Sequence, residues 1–168
     1  MSFDPVLARR SIRRYKADPV PAEKVTLLLK AAMSAPSAHN QQPWEFIVID
    51  DRKHLDAIPG VHPYSKMLLE APMAILVCSR QETLTASDFW PQDCAAATEN
   101  ILVEATALDL STVWMGIYPK EPLMKAMTEM FRLPENIIPF SLIAVGYGAE
   151  EKKPSNRYDE ARIHRNGW

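Results

Sequence analysis

The chain is short of most features that announce an activity. Only five of its 168 residues are glycine, and they form neither G-x-G-x-x-G nor G-x-x-x-x-G-K-[ST]. That removes the dinucleotide fingerprint and the phosphate loop of an NTPase. No G-x-S-x-G elbow occurs, so the hydrolase route to a serine nucleophile is missing too. The four histidines (His39, His54, His62, His164) and the two cysteines (Cys78, Cys94) show no zinc-ligand spacing. No two carboxylates stand out as an acid and base pair.

Charge of one sign is also lacking. Nineteen Lys and Arg against 21 Asp and Glu leave a formal net charge of -2, so no global field favours nucleic acid or a membrane surface. Apolar runs such as Met73–Cys78 fall far short of the ~20 residues that span a bilayer. Met1–Pro5 lacks the basic and apolar regions of a signal peptide. Both cysteines read as small buried residues of a reducing compartment, and a cytoplasmic location is expected. A chain with no evident catalytic side chain is either not an enzyme or takes its chemistry from a cofactor.

What is present is enough for one domain over residues 1–168, with 47% hydrophobic residues to build a core. Asp4-Pro5 resembles a helix start running toward Arg9, and Ser11–Pro19 reads as irregular or extended. Pro21 opens a helix to about Ser34, with Val25, Leu28, Leu29 and Ala32 on one face. Strands are expected at Trp44–Ile49, Met73–Ser79, Ser111–Ile117 and Pro139–Tyr147. Short helices are expected at Arg52–Ile58 and Ser65–Ala71, and a longer one at Glu121–Phe131. Pro91–Leu108 is the clearest helix. Its stripe of Cys94, Ala97, Ile101, Ala105 and Leu108, with Ala95 and Ala96 alongside, marks it as the central or dimer-forming helix. The alternation of strands and helices points to an α/β sandwich, although two helices precede the first strand. From Ala149 the chain turns strongly charged and reads as a tail that is disordered or wraps a neighbour.

Two polar stretches do not look like ordinary surface. Arg9, Arg10, Ser11 and Arg13 offer guanidinium forks and a hydroxyl suited to a phosphate; a solvated basic helix end is the plainer reading. The loop Pro36–Trp44 carries Ser37, His39, Asn40, Gln41 and Gln42, whose amides suit a heteroaromatic edge that both donates and accepts. Its plainer reading is a helix-to-strand connection. Trp114-Met115-Gly116 ends a strand where backbone could meet a ligand and the indole cover a ring, unless that Trp is simply core. Arg157 is either a further phosphate ligand or a surface charge.

Taken together and in order, these residues resemble the nitroreductase family of FMN-dependent oxidoreductases, in its compact branch. The resemblance covers nearly the whole chain: Arg9-Arg10-Ser11-Ile12-Arg13, Pro36 through Trp44, Ala71-Pro72-Met73, Asp93 through Asn100, Trp114-Met115-Gly116 and Arg157-Tyr158. It implies an α+β fold, a mainly antiparallel sheet flanked by helices, in an intertwined homodimer with FMN at the interface. Arg9, Arg10, Ser11, Arg13 and Arg157 would hold the phosphate and ribityl chain. Pro36, Ser37, Ala38, Asn40 and Gln42 would reach the flavin from the partner subunit, and the backbone of Trp114, Met115 and Gly116 would lie against the ring. The implied activity is ping-pong hydride transfer through FMN N5 from NADH or NADPH to a small-molecule acceptor: a nitroaromatic, quinone or flavin. No protein group is assigned as catalytic. A specialised enzyme of the same fold and a non-enzymatic flavin-sequestering protein are the alternatives. Three positions depart from the family pattern: Ala38 replaces a frequent serine, Asp109-Leu110-Ser111 stands for Gly-Leu-Gly, and Ser155 sits where a lysine is common, which weakens the phosphate site unless Lys153 compensates.

Overall fold

Four strands form one sheet in the order β1-β2-β4-β3, and every neighbouring pair is antiparallel. The computed structural model describes residues 3–153 and 155–168. Along the chain come α1 (Pro5–Ala8), α2 (Ala22–Met33), β1 (Trp44–Ile49), α3 (Arg52–Ala57), β2 (Met73–Arg80), α4 (Trp90–Ala107), β3 (Ser111–Gly116), α5 (Glu121–Phe131) and β4 (Ile137–Gly146). The helix-strand alternation therefore does not produce parallel βαβ units. The sheet is the antiparallel one that the family resemblance implies, and the α/β sandwich expected from element order alone is corrected.

The two inner strands explain their own sequences. β2 and β4 are covered on both faces, so they read as continuous apolar runs instead of alternating ones. Period-two alternation still sorts their side chains. Met73, Ile75 and Val77 of β2 face a core shared with Leu28 and Ala32 of α2 and with Cys94, Ala97, Ile101 and Ala105 of α4. Ala74, Leu76 and Cys78 face the opposite core, with Leu55 of α3 and Leu123 and Met127 of α5. Each fully buried Leu or Ile contributes about 1.5–3 kcal/mol relative to exposure. Both cysteines are free and buried, and burial pushes each thiol up to about 12.

Local signals set the helix starts. The Asp4 side chain accepts from the N–H groups of Val6 and Leu7, with Pro5 opening the turn. The Ser65–Ala71 segment forms only a short 3-10 turn over Lys66–Leu69. The helix expected to be central or dimer-forming, α4, packs on α2 and on the sheet; Cys94, Ala97 and Ala105 are buried there, while Ala95 and Ala96 are half-buried. Ala97 is fully buried there.

The charged C-terminal stretch does not leave the fold at Ala149. Tyr15 and Gly148 form an antiparallel bridge, Lys16 N–H donates to Tyr147 O and Ala149 N–H to Arg14 O. Farther on, the Lys152 ammonium donates to Ser11 O at 2.6 Å, and Arg10 Nε donates to Lys153 O at 3.0 Å. Residues 148–153 are thus a strap tied to the arginine segment. From Ser155 onward every residue is exposed. Among the described residues no helix is long and apolar enough to cross a membrane.

Candidate functional site

The arginine segment lies along the open side of the edge strand β3. Ile12 N–H donates to Thr112 O at 3.0 Å, and Ser11 and Thr112 form a parallel bridge. The pairing ends there. On the same outer edge Gly116 O meets His62 Nε2 at 3.1 Å. In an antiparallel strand alternate residues turn their backbone groups the same way, so Trp114, between Thr112 and Gly116, also directs its N–H and C=O outward. A Cβ built on Gly116 would meet nothing within 4 Å. The end of β3 is an unfilled main-chain edge.

Two grooves meet beside it. One, of about 830 Å³, is lined by Arg9, Arg10, Ser11, Arg13, Lys152, Ser155, Asn156 and Arg157 among others. The other, of about 450 Å³, is lined by Arg13, His62, Tyr64, Lys66 and Trp114–Gly116, among others. Arg13 borders both. Four arginines separated by up to 148 positions in sequence therefore converge on one groove, and the strand end opens into the next.

The cations there are not equivalent. Arg9 Nε is buried and makes no hydrogen bond; Glu99 Oε1 lies 3.1 Å away, an ion-pair distance, but off the line of the N–H. Arg10 is committed to main chain, with Nη1 donating to Leu7 O and Arg9 O and Nε to Lys153 O. Arg13 N–H donates to Glu150 Oε1 at 2.5 Å. That bond, helped by the Lys152 ammonium, holds the Glu150 carboxyl below its usual range. Lys152 lines the same groove as Ser155. The Lys153 carbonyl accepts from Arg10 Nε.

Trp114 is half-buried and lines the smaller groove. Its indole packs 6.0 Å from the ring of Phe140, in a cluster that also holds Trp90 and Tyr118. Met115 is buried in the opposite core.

The Pro36–Gln42 loop lines neither groove. His39, Asn40 and Gln42 all hold positive φ, at 50°, 54° and 46°. Non-glycine residues enter that region at a cost of about 1–3 kcal/mol each and stay only where the surroundings over-determine them. Pro36, His39, Asn40 and Gln42 are exposed in the single protomer, so Asn40 and Gln42, like Pro36 and the neighbouring Ser37 and Ala38, are set apart from the arginines of the same chain.

Sequence reasoning missed two residues here. His62 entered only as a failed metal ligand, yet it is buried, its Nδ1 accepts from Tyr64 N–H, and its Nε2 therefore donates to Gly116 O. No spacing rule would have found it. Asp93 entered only as one residue of the family pattern, yet its buried carboxylate accepts from Ala38 N–H and Gln41 Nε2. A signal existed for it: Asp93 falls four residues before Ala97 and eight before Ile101, on the buried row of α4. Among the described residues no group of His, Cys, Asp and Glu is placed to hold a metal ion.

The donor set fits a phosphomonoester carried on a planar ring. The buried Arg9 N–H lacks a partner, three further guanidiniums and an ammonium face the same space, and main-chain N–H groups stand open one groove away.

Comparison with known proteins agrees with this geometry. The model of the Nitroreductase family matches residues 6–62 and 59–147. A protein of Methanothermobacter thermautotrophicus named "Putative NADH dehydrogenase/NAD(P)H nitroreductase" is 43% identical over 166 residues, covering 99% of this chain and 87% of that one. The crystal structure of a "Putative NADH Oxidase" from Clostridium acetobutylicum is 48% identical with a TM-score of 0.95, covering 98% of this chain and 100% of the other. A "putative nitroreductase in complex with fmn" from Desulfovibrio desulfuricans is 30% identical with a TM-score of 0.84, covering 98% and 95%. With family model, close relatives and solved structures all matching nearly end to end, the chain belongs to the nitroreductase family.

Proposed function

We propose that the protein is an FMN-dependent NAD(P)H oxidoreductase working as a homodimer in the cytoplasm. The observation that carries this reading is the convergence of Arg9, Arg13, Arg157 and Lys152 on one groove that adjoins, at Arg13, the open backbone of Trp114 and Gly116. Two similarities support it: a structure 30% identical to this chain is described as a complex with FMN, and a relative 43% identical is named for NAD(P)H.

In this reading Arg9, with its unsatisfied N–H, and Arg157 hold the phosphate dianion through charge-assisted hydrogen bonds, and Ser11 adds its hydroxyl. Lys152 supplies the ammonium that Ser155 does not. Arg10 acts indirectly, by fastening the strap that carries Lys152 to the segment that carries Arg9. Arg13 stands between the phosphate and ring positions, and the N–H groups of Trp114 and Gly116 donate to the acceptor edge of the ring, where positive dipoles stabilise negative charge. A bound FMN would supply the redox chemistry, hydride transfer from NADH or NADPH and onward reduction of a nitroaromatic, quinone or flavin in ping-pong order. This accounts for the absence of a catalytic triad.

The loop Pro36–Gln42 needs a second copy to reach a flavin, because it lines neither groove of its own protomer. The exposed tail from Ser155, including Tyr158, Ile163 and Trp168, wraps that copy.

The test is an absorption spectrum of the freshly purified chain followed by anaerobic titration with each nicotinamide. A flavin spectrum bleached by NADH or NADPH and restored by an acceptor is expected. A flavin that never bleaches would replace the enzyme with a sequestering protein, and a chain that stays colourless with added FMN would remove the cofactor.

A further inference from the structure

The Pro36–Gln42 loop is held in its strained form by groups that belong to none of the surfaces described as meeting a ligand. Asp93 projects from the first turns of α4 and is only 5% exposed. Its Oδ1 accepts from Ala38 N–H at 2.9 Å and its Oδ2 from Gln41 Nε2 at 2.6 Å. Gln41 then reaches the other way. Its Oε1 accepts from Thr85 N–H at 3.1 Å and Ala86 N–H at 2.9 Å, and its Nε2 also donates to Ala86 O at 3.2 Å. One glutamine thus joins the buried carboxylate, the loop, and the segment that leads into α4.

We propose that Asp93 and Gln41 form a clasp that positions the Pro36–Gln42 loop for the cofactor, making them positioning residues for the redox reaction. The reasoning is geometric. Gln41 stands between Asn40 and Gln42, both left-handed, and its side chain turns inward while theirs stay exposed. With Ala38 N–H and the Gln41 amide anchored on Asp93, the residues between them have little freedom, and the exposed amides of Asn40 and Gln42 are presented in one arrangement. Within the loop, Gln42 N–H donates to Ser37 Oγ and Gln42 Nε2 to Asn40 Oδ1, which links those amides to each other and not to the rest of the fold. The clasp supplies the external anchor. It does not touch the phosphate groove, so its effect falls on the ring end of the ligand. The proposal rests on the FMN reading above.

The donor and acceptor roles are specific enough to be exchanged. Asp93→Asn sets an amide donor against the Gln41 amide, and Gln41→Glu sets a carboxylate against Asp93. The double variant restores one donor facing one acceptor. FMN affinity of the full-length chain, read by fluorescence titration, is expected to fall about tenfold or more in each single variant, as for loss of a bond to a charged group. The double variant should recover part of that loss, since Ala86 O no longer receives the Gln41 amide, and the flavin's visible circular dichroism should depart from wild type in the singles and move back toward it in the double. Hydrogen exchange of residues 38–42 and 85–86, measured with and without FMN, gives a readout independent of the cofactor: faster exchange in both singles and protection regained in the double.

Single variants that match wild type in affinity and exchange would overturn the clasp, as would singles that weaken without any recovery in the double, since that marks Asp93 as a general core residue. If the wild-type chain takes up no FMN, the cofactor reading fails and the proposed role in redox chemistry goes with it. The exchange data then still decide whether the clasp orders the loop.

Discussion

The guanidiniums of Arg9 and Arg10 sit side by side in the chain, but one has a buried N–H without a hydrogen-bond partner while the other is taken up by three carbonyls. Replacing them should therefore have different consequences. Arg9→Ala should weaken FMN binding by about 1.5–3 kcal/mol, the range for a hydrogen bond to a charged group, and leave thermal stability nearly unchanged. Arg10→Ala should instead loosen the strap and lower the melting temperature, with a smaller effect on affinity. Flavin titration and thermal melts of the two variants check this directly. Equal losses of affinity would mean that both guanidiniums bind the ligand. Nothing in the tetrapeptide Arg9-Arg10-Ser11-Ile12 separates the two arginines, because the carbonyls that occupy Arg10 include Lys153, more than 140 residues away.

Among the elements, the strap and α4 carry the sharpest expectations. Arg13 N–H and Lys152 lower the pKa of Glu150, and Tyr15 N–H and Arg14 lower that of Glu70. A depressed carboxylate stabilises the fold above its unfolded value, near 4.5, and that contribution disappears as the pH falls through the lower folded value. Acidification below about pH 4.5 should therefore release residues 148–153 from the arginine segment before the sheet melts, seen as rising exchange or proteolysis at the strap. Unchanged protection down to acid unfolding would show that the backbone pairing alone holds it. Gly148 is part of this fit, since a Cβ there would come within 2.6 Å of Ser111 Oγ. On α4, Ala97→Trp should destabilise the protomer itself by about 1–3 kcal/mol or more through overpacking, because Ala97 faces α2 and the sheet. A variant with wild-type stability but altered subunit mass would return Ala97 to the dimer interface. The helix and its small stripe were readable from spacing alone. Which neighbour the stripe meets was not, since close approach of a second chain and of α2 demand the same small side chains.

For the whole molecule, the Pro36–Gln42 loop lines neither arginine groove of its own protomer and the tail from Ser155 is exposed; the homodimer proposed above would account for both. Light scattering should give two chains of 19.0 kDa each, and truncation after Lys153 should shift the mass toward one chain and reduce flavin retention together. A monomeric intact chain that still binds FMN would show that one protomer completes the site. The amino-acid sequence by itself determined the places of the four strands and the main helices, because hydrophobic period, prolines and caps act over a few residues. It also carried the ordered set of motifs by which the family is recognised. The tertiary structure alone decided that the strands pair antiparallel, that Arg10 bonds to the strap while Arg9 lies beside Glu99 with an Nε that makes no hydrogen bond, that Lys152 lines the arginine groove, and that Asp93 meets Ala38 and Gln41 while His62 meets Gly116. Each of these depends on a partner far away in the chain, and local pattern carries no information about which distant carbonyl, amide or carboxylate will arrive.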